Sequence, residues 1–371
     1  MKSKICLVYN YAQHYRLGIF KLLDKELGCH FYFGDKLMDI KKINYKELPH
    51  FKKELKNIVI LRPIYWQKGI LPIFFKNYKH YILLGEYFCL STWLILLLSK
   101  FTNKKTYLWT HGWYGNEGVL KRVIKKVFLG LGDEILLYGN YAKELLINNG
   151  MAAQKLTVIY NSLDYNKQKE IRENFKPTDI FKKKFNNNNP TLIFIGRLTK
   201  VKKLHLLIKA HHYLESKGCN CNLVLIGEGE DKTQLIELSK EKNTHNSTWF
   251  YGPCYDEEKI GELLGNASIC VSPGNVGLTA IHSLMYGTPV ITHSGFKSQM
   301  PEFESIMPGK TGAFFEEDDI QSLEDTIVKW FNVKNNREKV RQECYSVIDL
   351  YYNPYYQCQM IKQVIDKNDK R

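Results

Sequence analysis

The 371 residues exceed an average single domain and suit two, and a hydrophobic content of 44% is that of a globular protein. Nine cysteines, an odd number spread from Cys6 to Cys358, include one close pair, Cys219 and Cys221, with no second pair to complete a metal site, so a reduced cytoplasmic setting is expected. The net charge of +15 follows partly from abundant Lys and Asn, as in the tract Asn186 to Asn189, and no aromatic-basic module accompanies it, so nucleic acid is not an expected partner.

Met1 to Val8 run straight into a strand pattern without the apolar region of a signal peptide. In the first half, strands are expected at residues 5–8, 30–33, 58–61, 81–84, 106–109, 134–138 and 156–160, with helices between them, as at 19–26 and 119–129. The loop after the first strand carries His14 and Arg16, which are candidate contacts for a second substrate; an ordinary solvated loop is the plainer alternative. The apolar run from Phe88 to Leu98 is too short to span a bilayer and reads as a buried helix. His111 follows a strand pattern and precedes Gly112, which places it at a strand end.

The segment 119–131 is amphipathic. Val119, Leu120, Val123, Ile124, Val127, Phe128 and Leu131 share one face, and Lys121, Arg122, Lys125 and Lys126 the other. Such a helix suits an anionic membrane surface. The pattern equally fits a core-packed helix with a solvated charged side, and both readings stand at this point.

A polar stretch, 161–190, with the Asn tract and two prolines, reads as the hinge. Beyond it, strands are expected at 192–195, 222–226, 248–251, 269–271, 290–292 and 313–315. Helical patterns dominate after Ser322, broken near Asn353-Pro354. Strands alternating with helices imply α/β domains with parallel, doubly wound sheets.

The stretch from Ser272 to His293 is the most informative. It reads as strand, glycine turn (Gly274, Asn275, Gly277), helix and strand. A glycine turn opening a helix gathers free N–H groups and the positive helix end, which suits phosphate. Upstream, Gly196-Arg197-Leu198 with Lys202 supplies a planar fork and a point charge. Two phosphate-type sites in one α/β half suggest a diphosphate ligand.

Five pieces occur in order over roughly 120 residues: G-R-L-x3-K at Gly196 to Lys202, G-E-G-E at Gly227 to Glu230, F-Y-G at Phe250 to Gly252, G-L at Gly277-Leu278, and Y-G-T-P-V-I at Tyr286 to Ile291. Through them the chain resembles the GT-B glycosyltransferases of the large retaining family 4, the group 1 enzymes. In the first half the likeness rests on His111-Gly112 and Asn161-Ser162-Leu163-Asp164. The resemblance implies the GT-B fold, with two Rossmann-like doubly wound domains facing across a cleft. It assigns 1–170 to an acceptor-side domain, on which helix 352–371 packs back, and 171–351 to a nucleotide-sugar domain. It places Gly196, Arg197 and Lys202 on the donor diphosphate, the N–H groups of Gly277 and Leu278 on phosphate or sugar, and His111 beside the anomeric centre as the catalytic residue.

The implied reaction is retaining, metal-independent hexosyl transfer (EC 2.4 class) from a nucleotide-diphosphate sugar to a glycan or lipid-linked acceptor. Fixed cations and dipoles would stabilise the departing diphosphate, and no D-x-D motif stands at a strand end to call for a metal or further cofactor. The family context implies surface polysaccharide biosynthesis, of capsule or lipopolysaccharide type, in the cytoplasm or on the inner face of the cytoplasmic membrane. The chain also departs from the family. The usual E-x7-E pair falls on Gly274 and His282. His282 can still hydrogen-bond a ribose hydroxyl, and Asn275 can reach a sugar hydroxyl in place of Gly274. Two other readings remain: a nucleotide-sugar epimerase on the same fold, and a non-catalytic partner subunit of a transferase.

Overall fold

The computed structural model describes residues 4–36, 41–332 and 336–370. The chain divides into two compact units, 1–164 with 353–371, and 165–352.

In the first unit the order is β1 (Ile5–Tyr9), α1 (Leu17–Leu27), β2 (His30–Gly34), β3 (Phe51–Leu61), β4 (Ile64–Lys68), α2 (Ile70–Phe74), β5 (His80–Leu84), α3 (Leu90–Ser99), β6 (Lys105–Thr110), α4 (Val119–Leu131), β7 (Glu134–Leu137), α5 (Asn140–Asn148) and β8 (Leu156–Val158). The eight strands run β4-β3-β2-β1-β5-β6-β7-β8. All neighbours are parallel except β3 and β4, which form an antiparallel hairpin. The expected strand at 58–61 is only the end of β3, and β4 was not foreseen. Exposed lysines and a glutamate interleave with apolar residues at this sheet edge, which hides the strand pattern that fully buried β1 displays.

The second unit contains α6 (Tyr165–Glu173), α7 (Ile180–Phe185), β9 (Thr191–Ile195), α8 (Leu204–Ser216), β10 (Asn222–Ile226), α9 (Lys232–Glu241), β11 (Thr248–Gly252), α10 (Glu257–Asn266), β12 (Ile269–Ser272), α11 (Leu278–Met285), β13 (Val290–His293), β14 (Gly312–Phe315), α12 (Ile320–Asn332) and α13 (Arg337–Leu350). Its six strands are all parallel, ordered β11-β10-β9-β12-β13-β14. Strands β9 and β10 are buried throughout, so TLIFI and NLVLI read as unbroken apolar runs. Leu192, Phe194, Leu207, Leu223, Leu225 and Ile269 form the core against α8. Each fully buried leucine there contributes about 1.5–3 kcal/mol of transfer free energy.

The break between units lies at 164/165 rather than 170/171, and α6 explains it. Arg172 on α6 pairs with Asp349 on α13 at 2.6 Å, and Gln168 donates to Glu257 at 2.9 Å, which fastens the helix to the second unit. The last helix, α14 (Pro354–Asp369), belongs to the first unit. Its Cys358, Ile361, Val364 and Ile365 share a core with Ile19, Phe20 and Leu23 of α1. A serine–glutamine hydrogen bond (Ser162 to Gln357, 2.6 Å) and an ion pair (Lys367 to Glu134, 2.6 Å) hold it further.

Each sheet reverses its order of connection once, between β1 and β5 in the first unit and between β9 and β12 in the second. A crevice opens beyond the strand C-termini where loops diverge to opposite faces, and open α/β sheets bind ligands there.

Candidate functional site

In the second unit, both phosphate-type motifs border the switch point. Gly196 follows β9 and leads into Arg197 and a short 3-10 turn, Lys200–Lys202; Gly274 to Gly277 connect β12 to α11. Thr279 donates to the carbonyl of Ile195 at 2.8 Å, tying the start of α11 to the end of β9. Arg197 is exposed. Lys202 is half-buried, and its Nζ donates to the carbonyl of Asn275 at 2.6 Å and to Asn275 Oδ1 at 2.8 Å. Burial brings the Lys202 ammonium down to about 8, with Glu302 opposing and Arg197 assisting. A Cβ on Gly277 would lie 3.9 Å from Lys202 Nζ. Arg197, Lys202, Asn275 and Gly277 are thus gathered in one place, and Leu278 is the first residue of α11.

Backbone crowding explains the glycines. Gly277 has φ +52 and takes a conformation that side chains disfavour. At Gly274 a Cβ would come within 2.0 Å of the Val201 carbonyl oxygen, and its N–H donates to Lys202 O at 2.9 Å. Close backbone packing thus leaves no room for a side chain at the position where the resemblance implies a glutamate. Gln299, which drew no attention in the sequence, accepts from Val276 N at 2.9 Å and donates to Thr292 Oγ1 at 2.8 Å, fixing the same loop from behind.

His282 lies further along α11, and its Nε2 is 2.7 Å from Glu257 Oε1. That oxygen also accepts from Tyr286 at 2.7 Å and Gln168 at 2.9 Å. Burial opposes ionisation of Glu257, but His282 and these donors outweigh it and hold the carboxyl at about 2. A carboxylate thus stands beside position 282 after all, supplied by the start of α10. No local spacing in the sequence points to it.

In the first unit, His111 follows β6 and its ring packs 4.6 Å from that of Tyr138. Burial, Arg16 and Lys125 together bring His111 down to about 3, so the imidazole is neutral at physiological pH. The turn beyond it is built on an internal ion pair. Lys125 Nζ donates to Glu117 at 2.8 Å and to the carbonyl of Gly112 at 2.6 Å, and Glu117 accepts from the N–H groups of Tyr114 and Gly115 at 3.0 and 2.9 Å.

This pair inverts the expectation for α4. Lys125 points inward, whereas Val119 and Leu120 are 79% and 75% exposed and Val123 and Val127 are exposed beside Lys121, Arg122 and Lys126. Phe128 and Leu129 pack inward. The reading of a core-packed helix therefore fails for most of its apolar face and for Lys125, while Lys121, Arg122 and Lys126 are solvated as that reading expects.

The two loop candidates part company. His14 is exposed, with Nδ1 3.3 Å from the carbonyl of Lys41. Arg16 is only 6% exposed and is enclosed by Tyr9, Tyr15, Trp109 and Tyr138, so the solvated-loop alternative fails for it. Across the switch point, Asn10 Nδ2 is 3.3 Å from both oxygens of Glu86, which also accepts from Tyr65 at 3.0 Å. Burial pushes Glu86 up to about 7 against those hydrogen bonds. Neither Asn10 nor Glu86 stands out in the sequence.

Comparison with known proteins shows what the chain is similar to. Residues 175–347 match the family model described as Glycosyl transferases group 1. A capsular polysaccharide biosynthesis glycosyltransferase, CapM of Staphylococcus aureus, is 23% identical over 231 residues, covering 59% of this chain and 57% of that relative. The match thus spans little more than half of that protein. The crystal structure of HepE from Anabaena in complex with UDP is similar with a TM-score of 0.72 at 13% identity, covering 98% of this chain and 100% of that one. A lipopolysaccharide outer core galactosyltransferase, WaaB, is similar with a TM-score of 0.72 at 14% identity, covering 98% and 99%. At such identities the structural likeness establishes a fold of two Rossmann-like α/β domains, the GT-B architecture, and residues 175–347 are similar to the Glycosyl transferases group 1 domain.

Proposed function

We propose that the protein is a retaining, metal-independent glycosyltransferase that moves a sugar from a nucleotide-diphosphate donor to a glycan or lipid-linked acceptor in surface polysaccharide biosynthesis. The observation that carries this reading is the gathering of Arg197, Lys202 and the Gly277 turn at the switch point of the second sheet. A diphosphate there would meet a guanidinium, an ammonium and the N-terminus of α11, three sources of positive potential that favour its departure as an anion. His282, whose Nε2 is engaged by Glu257, would hydrogen-bond a ribose hydroxyl through its other ring nitrogen. Neutral His111 serves by hydrogen bonding near the sugar rather than as a cation. The names of CapM and WaaB support the pathway, and the UDP bound to HepE supports the donor class. The test is a thermal-shift and turnover screen against UDP-, GDP-, dTDP- and ADP-sugars. Stabilisation and slow hydrolysis of one donor, lost in Arg197→Ala and Lys202→Ala, is expected; no response to any nucleotide would refute it.

The crowding at Gly274 favours one rival, a partner subunit that binds nucleotide without turning it over. Affinity without hydrolysis or transfer across the donor and acceptor panels would select it.

The surface of α4 supports attachment to an anionic membrane, since exposed valines and leucine would enter the acyl boundary while Lys121, Arg122 and Lys126 met headgroups. No helix among the described residues is long and apolar enough to cross a membrane. Sedimentation with phosphatidylglycerol vesicles should be lost in a Val119→Ser, Leu120→Ser, Val123→Ser triple variant that melts normally. Equal sedimentation of both proteins would remove the membrane from the proposal.

A further inference from the structure

The switch point of the first unit holds buried polar groups that the fold itself leaves unused. Arg16 sits in a 3-10 turn, His14–Arg16, directly before α1. Its guanidinium carbon lies 5.4 Å from the ring centres of Tyr9 and Trp109, 5.3 Å from Tyr138 and 5.7 Å from Tyr15. One N–H, on Nη2, donates to Tyr138 Oη at 2.5 Å. The donors on Nε and Nη1 are buried and have no partner, and no carboxylate pairs with Arg16 among the described residues.

A buried cation without a counter-ion is costly even after relaxation. Ring faces return part of that cost, but they cannot accept from the in-plane N–H groups. Two observations turn this into a site rather than a packing fault. First, α1 begins without a side-chain cap and without an acidic residue in its first turn, so its positive end adds to the same potential. Secondly, Asn10 Oδ1 and Gln13 Oε1, both buried in the same loop, lack donors. The loop therefore offers unpaired cationic donors together with unpaired neutral acceptors, at the place where a doubly wound sheet binds its ligand.

We propose that Arg16, Asn10 and Gln13 form a subsite for an oxyanion-bearing sugar, in which Arg16 binds the phosphate or carboxylate and the two amide oxygens accept from hydroxyls. Calling that sugar the acceptor rests on the transferase reading above; the oxyanion site does not. A neutral acceptor would leave the guanidinium as unsatisfied as it now is, whereas an oxyanion supplies both the missing charge and the missing acceptors.

The test uses the full chain labelled with 15N-arginine, following the Arg16 Nε–H resonance while inorganic phosphate, acetate and glucose are added in turn. Arg16→Lys supplies the assignment. Should that variant fail to fold, the buried indole N–H of Trp109, whose ring lies 5.4 Å from the guanidinium, is followed instead in protein labelled with 15N-tryptophan. A saturable shift with Kd on the order of 1 mM is expected from an anion and not from glucose. Phosphate alone shifting it would select a phosphorylated sugar, and acetate shifting it as well would select a carboxylate-bearing one. The shift should persist in Arg197→Ala, which removes a cation from the other phosphate site. No saturable response to either anion overturns the proposal. Saturation at Arg16 in a protein that turns over no nucleotide sugar would retain the anion site and remove the transferase; turnover of neutral acceptors with no anion response would do the reverse.

Discussion

Affinity for a nucleoside diphosphate should fall steeply in mild alkali, and Lys202 is the reason. Its ammonium is held at about 8 in the free protein. Moving from about pH 7 to about pH 9 therefore takes Lys202 from roughly nine-tenths protonated to roughly one-tenth. A diphosphate against Nζ stabilises the ammonium, so the complex keeps the proton that the free protein has lost. Binding above about pH 8 must then take up a proton, and affinity drops about tenfold across this range, or ~1.4 kcal/mol. The phosphate's own second ionisation, near ~6, leaves the ligand's charge almost constant meanwhile. Folding stability moves the opposite way. The unfolded lysine keeps its proton to a higher pH than the folded one, so this residue's contribution is lost as pH falls through about 8 and regained above it. Titration calorimetry of UDP in two buffers of different ionisation heat measures both affinity and proton uptake. Lys202→Met should bind about 10–100-fold more weakly at neutral pH, the loss of one charge-assisted hydrogen bond, and show no pH dependence of this kind. The same alkaline slope in Lys202→Met, or binding without proton uptake in the parent, would refute the reasoning.

Three further perturbations probe the framework. Lys125→Met leaves Glu117 buried without its counter-charge and should destabilise the first unit by about 3–5 kcal/mol in urea unfolding; a loss below about 1 kcal/mol would mean that the pair is not essential to the turn. Gly274→Glu, which restores the family's residue type, should weaken UDP binding rather than improve it, because the Cβ alone would meet the Val201 carbonyl oxygen at 2.0 Å; unchanged calorimetric affinity would show that the 200–202 turn yields freely. Glu257, held at about 2, adds stability above its ordinary carboxylate range that is lost as pH falls toward that value, so acid unfolding should be milder in slope for Glu257→Gln; identical acid melting curves would contradict this.

The legibility of the sequence follows burial. Strands closed in on both faces, such as ICLVY of β1 and TLIFI of β9, announce themselves as apolar runs, and the glycine turns between them mark where the backbone must come close. The hairpin of β3 and β4 escapes because a half-exposed edge follows neither a clean period nor a continuous run. Arg197, Lys202 and Gly277 are readable because each belongs to a local motif next to a strand. Glu257, Glu86 and Gln299 are not, because each acts on residues that are brought near it only by the sheet order. Burial of Lys125 was hidden for a different reason. Its position on the charged face of α4 is an ordinary helical pattern, and it is the carboxylate of Glu117, eight residues away, with the carbonyl of Gly112 that makes the inward orientation favourable.

The two departures from the family pattern acquire a common logic in this setting. At 274 the carboxylate is absent because the strand–helix loop packs against the turn that carries Lys202, and that packing also hands Asn275 to the lysine as a hydrogen-bond partner. The same contact thus orients the cation and excludes the side chain. At 282 the carboxylate is displaced, with Glu257 reaching the position through an imidazole. The site carries costly features: a half-buried ammonium, a strained glycine turn, and three partners committed to one oxygen of the half-buried Glu257. On the transferase reading proposed above, they are what a working phosphate site would use, with different contacts to the sugar. Substituting Glu257 and His282 together should therefore alter which donor sugar or base is accepted while leaving the binding of simple pyrophosphate within about twofold of the parent; an equal loss of both would show that the pair supports the phosphate loop instead.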